Sequence, residues 1–217
     1  ISSGLVGSEM CIRDSTTPLL SYVRFAKWDD ILAYERPDKD FKYSNSIYNY
    51  SLSIAHAAKG HIEEANKYQS RILNEINSEQ VGKMVEAGHP TKSLMKIASL
   101  LSKGSISMYA NNYDYAIELF KEAVALQDTL PYTEPPFWYY PTRQTLGHAL
   151  LTKGSYKEAL RVFKKDLEDY PRNGWSYYGL YLAYKNLDEL SLSNDALMKF
   201  NQIWERSDMT IDSSIIF

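Results

Sequence analysis

The sequence predicts an all-α protein made of antiparallel helix pairs stacked in series. Three observations carry this. Apolar residues recur at helical spacing, as in Tyr113, Ala116, Ile117, Phe120 and Val124. Turn residues separate such stretches, notably Gly60, Asn111-Asn112 and Gly154, and glycine adopts a left-handed helix cap cheaply. The pattern also returns after 34 residues: Leu146, Leu150 and Gly154 are answered by Leu180, Tyr184 and Asp188. One pair alone cannot bury its apolar face, so at least three must stack.

Composition agrees and narrows the function. Of 217 residues, 44% are hydrophobic, which supports a core and argues against general disorder. The net charge of −3, from 24 basic and 27 acidic residues, leaves no basic stripe for nucleic acid. The apolar runs are too short for membrane insertion. The 18 tyrosines are expected to fill gaps between helices. A single cysteine, Cys11, makes neither an intramolecular disulfide nor a cysteine-based zinc site. The chain begins at Ile1 rather than Met, without the basic-then-apolar order of a signal peptide, and reads as a fragment of unknown compartment.

Residues 1–15 have no helical period. The words LVGSEMCIRD resemble a translated sequencing-adapter scar of the kind found at the ends of some environmental-DNA assemblies. They are read as a non-native or disordered leader. Thr16-Thr17-Pro18 then starts a helix, with Leu20, Val23 and Ile31-Leu32 as its apolar residues and Phe25 and Trp28 at a joint. Residues 16–34 read as a truncated pair ending at Glu35-Arg36-Pro37-Asp38.

The first full pair is placed at about 44–77, its second helix running from Ile62 through Ile76 behind Glu63-Glu64. Asn77 to Pro90 reads as a connector with at most one helical turn. The second pair, 91–127, is capped by Thr91. Leu130 to Pro136 is a stiff, extended linker. The third pair, 138–171, starts near Trp138 and carries Ser155-Tyr156-Lys157-Glu158, a capping box. The fourth, 174–206, is capped by Asn173. Its second helix is expected three residues late, after a loose turn from Asp188 to Asn194, with a tail at 207–217.

Leu146-Gly147, Gly154, Tyr156, Ala159, Phe163 and Pro171 stand at the offsets of the tetratricopeptide signature. Arg143 replaces its usual Trp and Leu150 its usual Tyr. The second pair keeps Gly104, Tyr113, Ala116, Phe120 and Ala123; the first keeps Leu52, Gly60 and Ala65, with Gln69 in place of Phe. Residues 16–206 therefore resemble the tetratricopeptide (TPR) repeat family, which implies a right-handed α-solenoid of about four pairs plus a truncated one. Small residues such as Gly147 and Ala159 let paired helices approach, and Phe163 fills the groove toward the next pair. The run from Glu134 to Gly147, with Glu168 to Trp175, looks like the C-terminal part of uncharacterised bacterial TPR proteins.

No catalytic constellation stands out. His56, His61, His89 and His148 form no metal-binding spacing, and no metal or cofactor is expected. The carboxylate clusters, among them Asp166 with Glu168-Asp169, read as solvated helix faces. Trp138-Tyr139-Tyr140 reads as a wedge sealing an irregular junction or as a peptide-gripping patch. Arg143, with Glu134 nearby, is an internal ion pair or a carboxylate receptor.

The resemblance implies partner binding along the concave side, made by the first helix of each pair. It places Tyr50, Ile54, Leu101, Met108, Gln144, His148, Trp175 and Tyr178 there. The Lys-x3-Asn clamp of chaperone-binding relatives is missing, so the groove is expected to work by hydrophobic contacts. The function that follows is a non-catalytic module binding a protein or peptide. The alternatives are a scaffold or lid of a larger, possibly metal-dependent enzyme, and self-assembly through an exposed Leu20 and Val23.

Overall fold

Four turns, all built alike, set the architecture. In each, a helix ends at a residue of positive φ: Gly60 (79°), Asn111 (58°), Gly154 (85°) and Asp188 (58°). The next residue donates its N–H back to the carbonyl five positions earlier: His61 to His56 (2.8 Å), Asn112 to Ser107 (2.8 Å), Ser155 to Leu150 (2.8 Å) and Glu189 to Tyr184 (3.0 Å). This Schellman closure satisfies the last carbonyls of one helix and reverses the chain within two residues.

The structure, a computed structural model, describes residues 16–215. The leader with Cys11, and residues 216–217 of the tail, lie outside the described residues. Residues 16–24 form α1. Then come α2 (Trp28–Leu32), α3 (Lys42–Ala58), α4 (Ile62–Gln69), α5 (Glu79–Glu86), α6 (Thr91–Tyr109), α7 (Tyr113–Gln127), α8 (Thr142–Lys153), α9 (Tyr156–Asp169), α10 (Gly174–Asn186) and α11 (Leu190–Trp204). No strand occurs among the described residues. The pairs α3/α4, α6/α7, α8/α9 and α10/α11 are antiparallel and stack in chain order.

Aromatic rings seated on glycines bring the helices together. The Phe120 ring of α7 occupies the space a Cβ on Gly104 of α6 needs, and Phe163 of α9 does the same at both Gly147 of α8 and Gly179 of α10. Phe163 therefore joins its own pair to the next, as its place in the repeat implies. Trp204 closes the last pair against Gly174. Phe120 and Phe163 are wholly buried.

Several expectations are corrected. The second helix of the first full pair stops at Gln69, and a series of turns carries the chain to Ser78. The connector holds a two-turn helix, α5, because Ser78 caps it and Val81 is buried beneath it. Helix α8 starts at Thr142, not Trp138. Pro141 is extended (ψ 118°), and Gln127 Oε1 accepts from both the Thr142 N–H and hydroxyl at 2.7 Å, fixing the start. Thr91 is not an N-cap: it is the first helical residue, and its hydroxyl bonds His89 Nδ1 at 2.7 Å. The turn at Asp188 is tight, so α11 begins in register and Ser193, buried, stands where α9 has Ala159.

The capping box at Ser155 is also absent, for a geometric reason. Ser155 heads α9, but its hydroxyl makes no capping bond. An N-cap aims its side chain at the following N–H groups from an extended backbone. Ser78 (ψ 153°) and Asn173 (ψ 104°) have that backbone and do cap. Ser155 (ψ 56°), Asn112 (ψ 68°), His61 (ψ 64°) and Glu189 (ψ 65°) sit in the tight turn and do not.

The truncated pair does not expose its apolar face. Leu19, Leu20 and Val23 are buried, contrary to expectation. The chain turns at Phe25-Ala26, where Ala26 has φ 51°, and α1 lies along the inner side of the stack, so that Arg24 reaches α8 and α10.

Candidate partner-binding face

Residues of α3, α6, α8 and α10, the first helices of the four pairs, gather around α1, and the side on which they do so is the inner side of the stack. Every residue expected there is wholly or partly buried. Tyr50, Ile54, Leu101, Gln144 and Trp175 are buried; Met108, His148 and Tyr178 are half-buried. Their neighbours are segments of the same chain. Val23, Arg24 and Trp28 from the N-terminal end share a small cavity with Tyr50 and Ile54 of α3, Ser105 of α6, Thr145 of α8 and Ile215 of the tail.

Arg24 is the centre of this arrangement. Its Nη2 donates to Gln144 Oε1 at 2.6 Å. Its guanidinium lies 4.2 Å from the Trp175 ring centroid and 5.0 Å from that of Tyr140. Both distances are within the range of cation–π attraction. Burial pushes its pKa down, and the nearby Tyr140, Tyr139, Asp166 and Tyr50 oppose that shift. The sequence reading missed Arg24. Its signal was position: Leu20, Val23 and Arg24 share one face, so the arginine sits within the apolar stripe of α1.

The aromatic run divides. Phe137 packs edge-on against His89 (5.2 Å), just before α6. Trp138, 1% exposed, stands between Tyr50 (5.6 Å) and Tyr139 (5.2 Å). The Tyr139 hydroxyl bonds that of Tyr50 at 3.0 Å, and the Tyr140 hydroxyl that of Thr145 at 2.7 Å. The run thus ties α3 to α8 across the linker. Burial raises the pKa of Tyr50, Tyr139 and Tyr140, so all three stay protonated.

Asp166 is the second residue the sequence reading misplaced. It is fully buried, not on a solvated face. It accepts from Ser176 (2.5 Å) and from Asn173 Nδ2 (2.9 Å), joining α9 to the start of α10. Burial raises its pKa to about 6; Ser176, Gln144 and Arg143 hold it back from rising further. Gln144 lies close, yet Asp166 Oδ1 makes no hydrogen bond of ordinary geometry. The missed signal was again phase, for Asp166 follows Phe163 by three positions on the buried side of α9.

His148 meets the C-terminal tail, where the hydroxyls of Ser213 and Ser214 lie 3.1 and 3.3 Å from its Nδ1. Burial lowers its pKa to about 4, so it is neutral at physiological pH. Tyr178 packs against Phe200 of α11 (5.0 Å). Leu101 and Met108 belong to the core and do not join the Arg24 cluster.

Outside the inner side, Glu134, Trp138 and Arg143 line a cleft of about 640 Å³ beneath the proline-rich linker. Tyr139, expected with them, turns inward. Arg143 pairs with Asp128 through two bonds of 2.7 and 2.5 Å and reaches Asp169 at 3.8 Å. Glu134 instead accepts from the Tyr132 hydroxyl at 2.5 Å. Arg143 therefore pairs with Asp128 at the surface, and the expected pairing with Glu134 is not formed. His56 and His61 approach through their Nδ1 atoms (3.4 Å). Among the described residues no three potential metal ligands cluster, and no helix is long and apolar enough to cross a membrane.

No family model matches the chain, and no curated protein matches its sequence. Solved structures are similar in fold. MamA (41-end) from Desulfovibrio magneticus RS-1 is 18% identical over 78% of this chain and 77% of its own, with a TM-score of 0.50. Two crystal structures of a putative kinesin light chain from Podosopora anserina, described as nearly identical TPR-like repeats, each cover 92% of this chain and 97% of theirs. Their identities are 15% and 14% and their TM-scores 0.55 and 0.54. At such identities the likeness is one of fold, and the fold of this chain is a TPR-like helical repeat.

Proposed function

We propose that this chain is a non-catalytic interaction module that binds a protein or peptide segment on the inner side of its TPR-like stack. One observation carries the reading: that side already holds a helix. It surrounds α1 with Tyr50, Ile54, Gln144, Trp175 and the ring of Tyr140. A surface that orders an apolar helix bearing one arginine has the chemistry for helix-in-groove recognition. The segment it holds here is its own, so a partner competes with α1 or extends beside it.

The test keeps the full chain. Leu20→Asp with Val23→Asp weakens the internal helix, and a labelled peptide of residues 16–28 is titrated in. The expected result is saturable binding to this variant, at least tenfold weaker binding to wild type, and loss on adding Ile54→Asp. Helix content is followed by circular dichroism. A folded variant that does not bind the peptide defeats the inner-side assignment. The 640 Å³ cleft beside Arg143 favours a second surface. In that reading, Tyr132→Ala and Tyr170→Ala impair partner binding and leave peptide capture intact.

A further inference from the structure

The cleft beneath the proline-rich linker is walled by rings. Four aromatic residues line it, Tyr132, Phe137, Trp138 and Tyr170, together with Pro131 and Pro136 of the linker. Tyr132 is 86% exposed and Tyr170 39%, so both offer ring surface to a second chain. The volume of about 640 Å³ lies within the roughly 300–1,000 Å³ of ligand pockets.

Trp138 is the buried residue of this lining. Its indole N–H is buried with it and meets no acceptor among the described residues. Buried donors are nearly always hydrogen-bonded in native proteins, so this one marks a place for an incoming acceptor. The charges of the lining point to a cation. Its two basic residues are already engaged, Arg143 by Asp128 and Lys165 by Glu168. Glu134 accepts from the Tyr132 hydroxyl and so stands beside an exposed ring. A carboxylate next to an open aromatic face favours a basic side chain, because ion pairing and cation–π attraction act together there.

We infer that this cleft binds a proline-rich segment of a partner protein, extended as polyproline II and ending in a basic residue. Polyproline II has no internal hydrogen bonds, so its carbonyls are free to accept. Its rings dock against aromatic-lined grooves. Tyr132 and Tyr170 take the proline rings, the Trp138 indole donates to a backbone carbonyl, and Glu134 receives the basic side chain. An amphipathic helix suits the cleft less well, because its carbonyls are already bonded within the helix. The inference rests on the cleft as a second surface and is independent of the inner side.

The experiment is a titration of the full, nitrogen-15-labelled chain with an acetylated peptide of repeated leucine-proline-proline units ending in arginine. Saturable binding is expected. The indole N–H resonance that is missing in Trp138→Phe moves downfield, and those of Trp28, Trp175 and Trp204 stay in place. Tyr132→Ala, at an exposed position, raises Kd about tenfold, and Tyr170→Ala or Trp138→Phe about fivefold. Circular dichroism checks that each variant is folded. Glu134→Gln brings the peptide down to the affinity of its glutamine-ended version. The inference is overturned by absence of saturable binding, by equal binding of a glycine-serine peptide ending in arginine, by an unchanged Kd in Tyr132→Ala, or by binding of a linear glucose oligosaccharide in place of the peptide. If the peptide fails while Tyr132→Ala still impairs partner binding, the ligand class is wrong and the second surface stands.

Discussion

Two neighbouring regions of this molecule are packed by opposite rules. Where α8, α9 and α10 meet, the Phe163 ring rests directly on Gly147 and Gly179. On the inner side, a guanidinium, an amide and several hydroxyls are threaded among aromatic rings. The dry joint needs only shape. The inner side needs both shape and matched donors and acceptors, and a half-satisfied polar network is costly. The first is what one repeat needs to hold the next; the second does not recur from pair to pair within this chain.

The dry joint depends most on Phe163. Phe163→Ala empties both glycine seats at once and is expected to cost about 4 kcal/mol. Urea unfolding measures it, and a loss below 1 kcal/mol means the joint is not the packing centre described here. Gly179→Ala tests the same seat by crowding. A Cβ there meets Phe163 at 2.3 Å, while Gly147 blocks the ring's retreat from the other side. The expected cost is about 2 kcal/mol. Gly82→Ala in α5 has no atom within 4 Å of the new Cβ and is expected to gain about 0.5–1 kcal/mol from helix propensity.

Between the two regions lies Asp166, whose carboxylate is raised to about 6 by burial. Between the unfolded pKa near 4 and this value, the folded chain holds a proton that the unfolded chain has released. The resulting stability is fully present below about pH 4 and is lost as pH rises through 6. The amount is on the order of 2 kcal/mol. Asp166→Asn cannot release a proton, so the difference in stability between wild type and variant should change by that amount between pH 4 and 7. A constant difference shows that Asp166 is charged throughout.

The dry joint was readable in the sequence and most of the inner side was not. Gly147, Ala159 and Phe163 announce themselves because the same spacing recurs at Gly104, Ala116 and Phe120. Arg24 and Asp166 have no such recurrence. Each is a charged residue at an apolar phase of its helix, and their hydrogen-bond partners come from chain segments 120 and 10 residues away. Tyr139 was misassigned for a related reason. Local sequence places it with Glu134 and Arg143, but its hydroxyl bonds that of Tyr50, 89 residues away in the chain. The four turns lie in between: Gly60, Asn111 and Gly154 were legible, while Asp188 hid its left-handed conformation behind an unusual residue choice.

The smallest effect distinguishes sequence motif from geometry most cleanly. Ser155 and Asn173 begin α9 and α10 with side chains that both rank among good N-caps. Only Asn173 makes the bond, accepting from the Trp175 N–H at 3.1 Å while its Nδ2 also donates to Asp166. Asn173→Ala is therefore expected to cost about 1–2 kcal/mol. Ser155→Ala should cost less than about 0.5 kcal/mol, because no capping bond is there to lose. If Ser155→Ala costs as much as Asn173→Ala, the serine reaches Glu158 in solution, and the tight-turn backbone at ψ 56° does not hold. The same measurement on His61, Asn112 and Glu189, which share that backbone, then decides whether the turn geometry is common to all four pairs or particular to one.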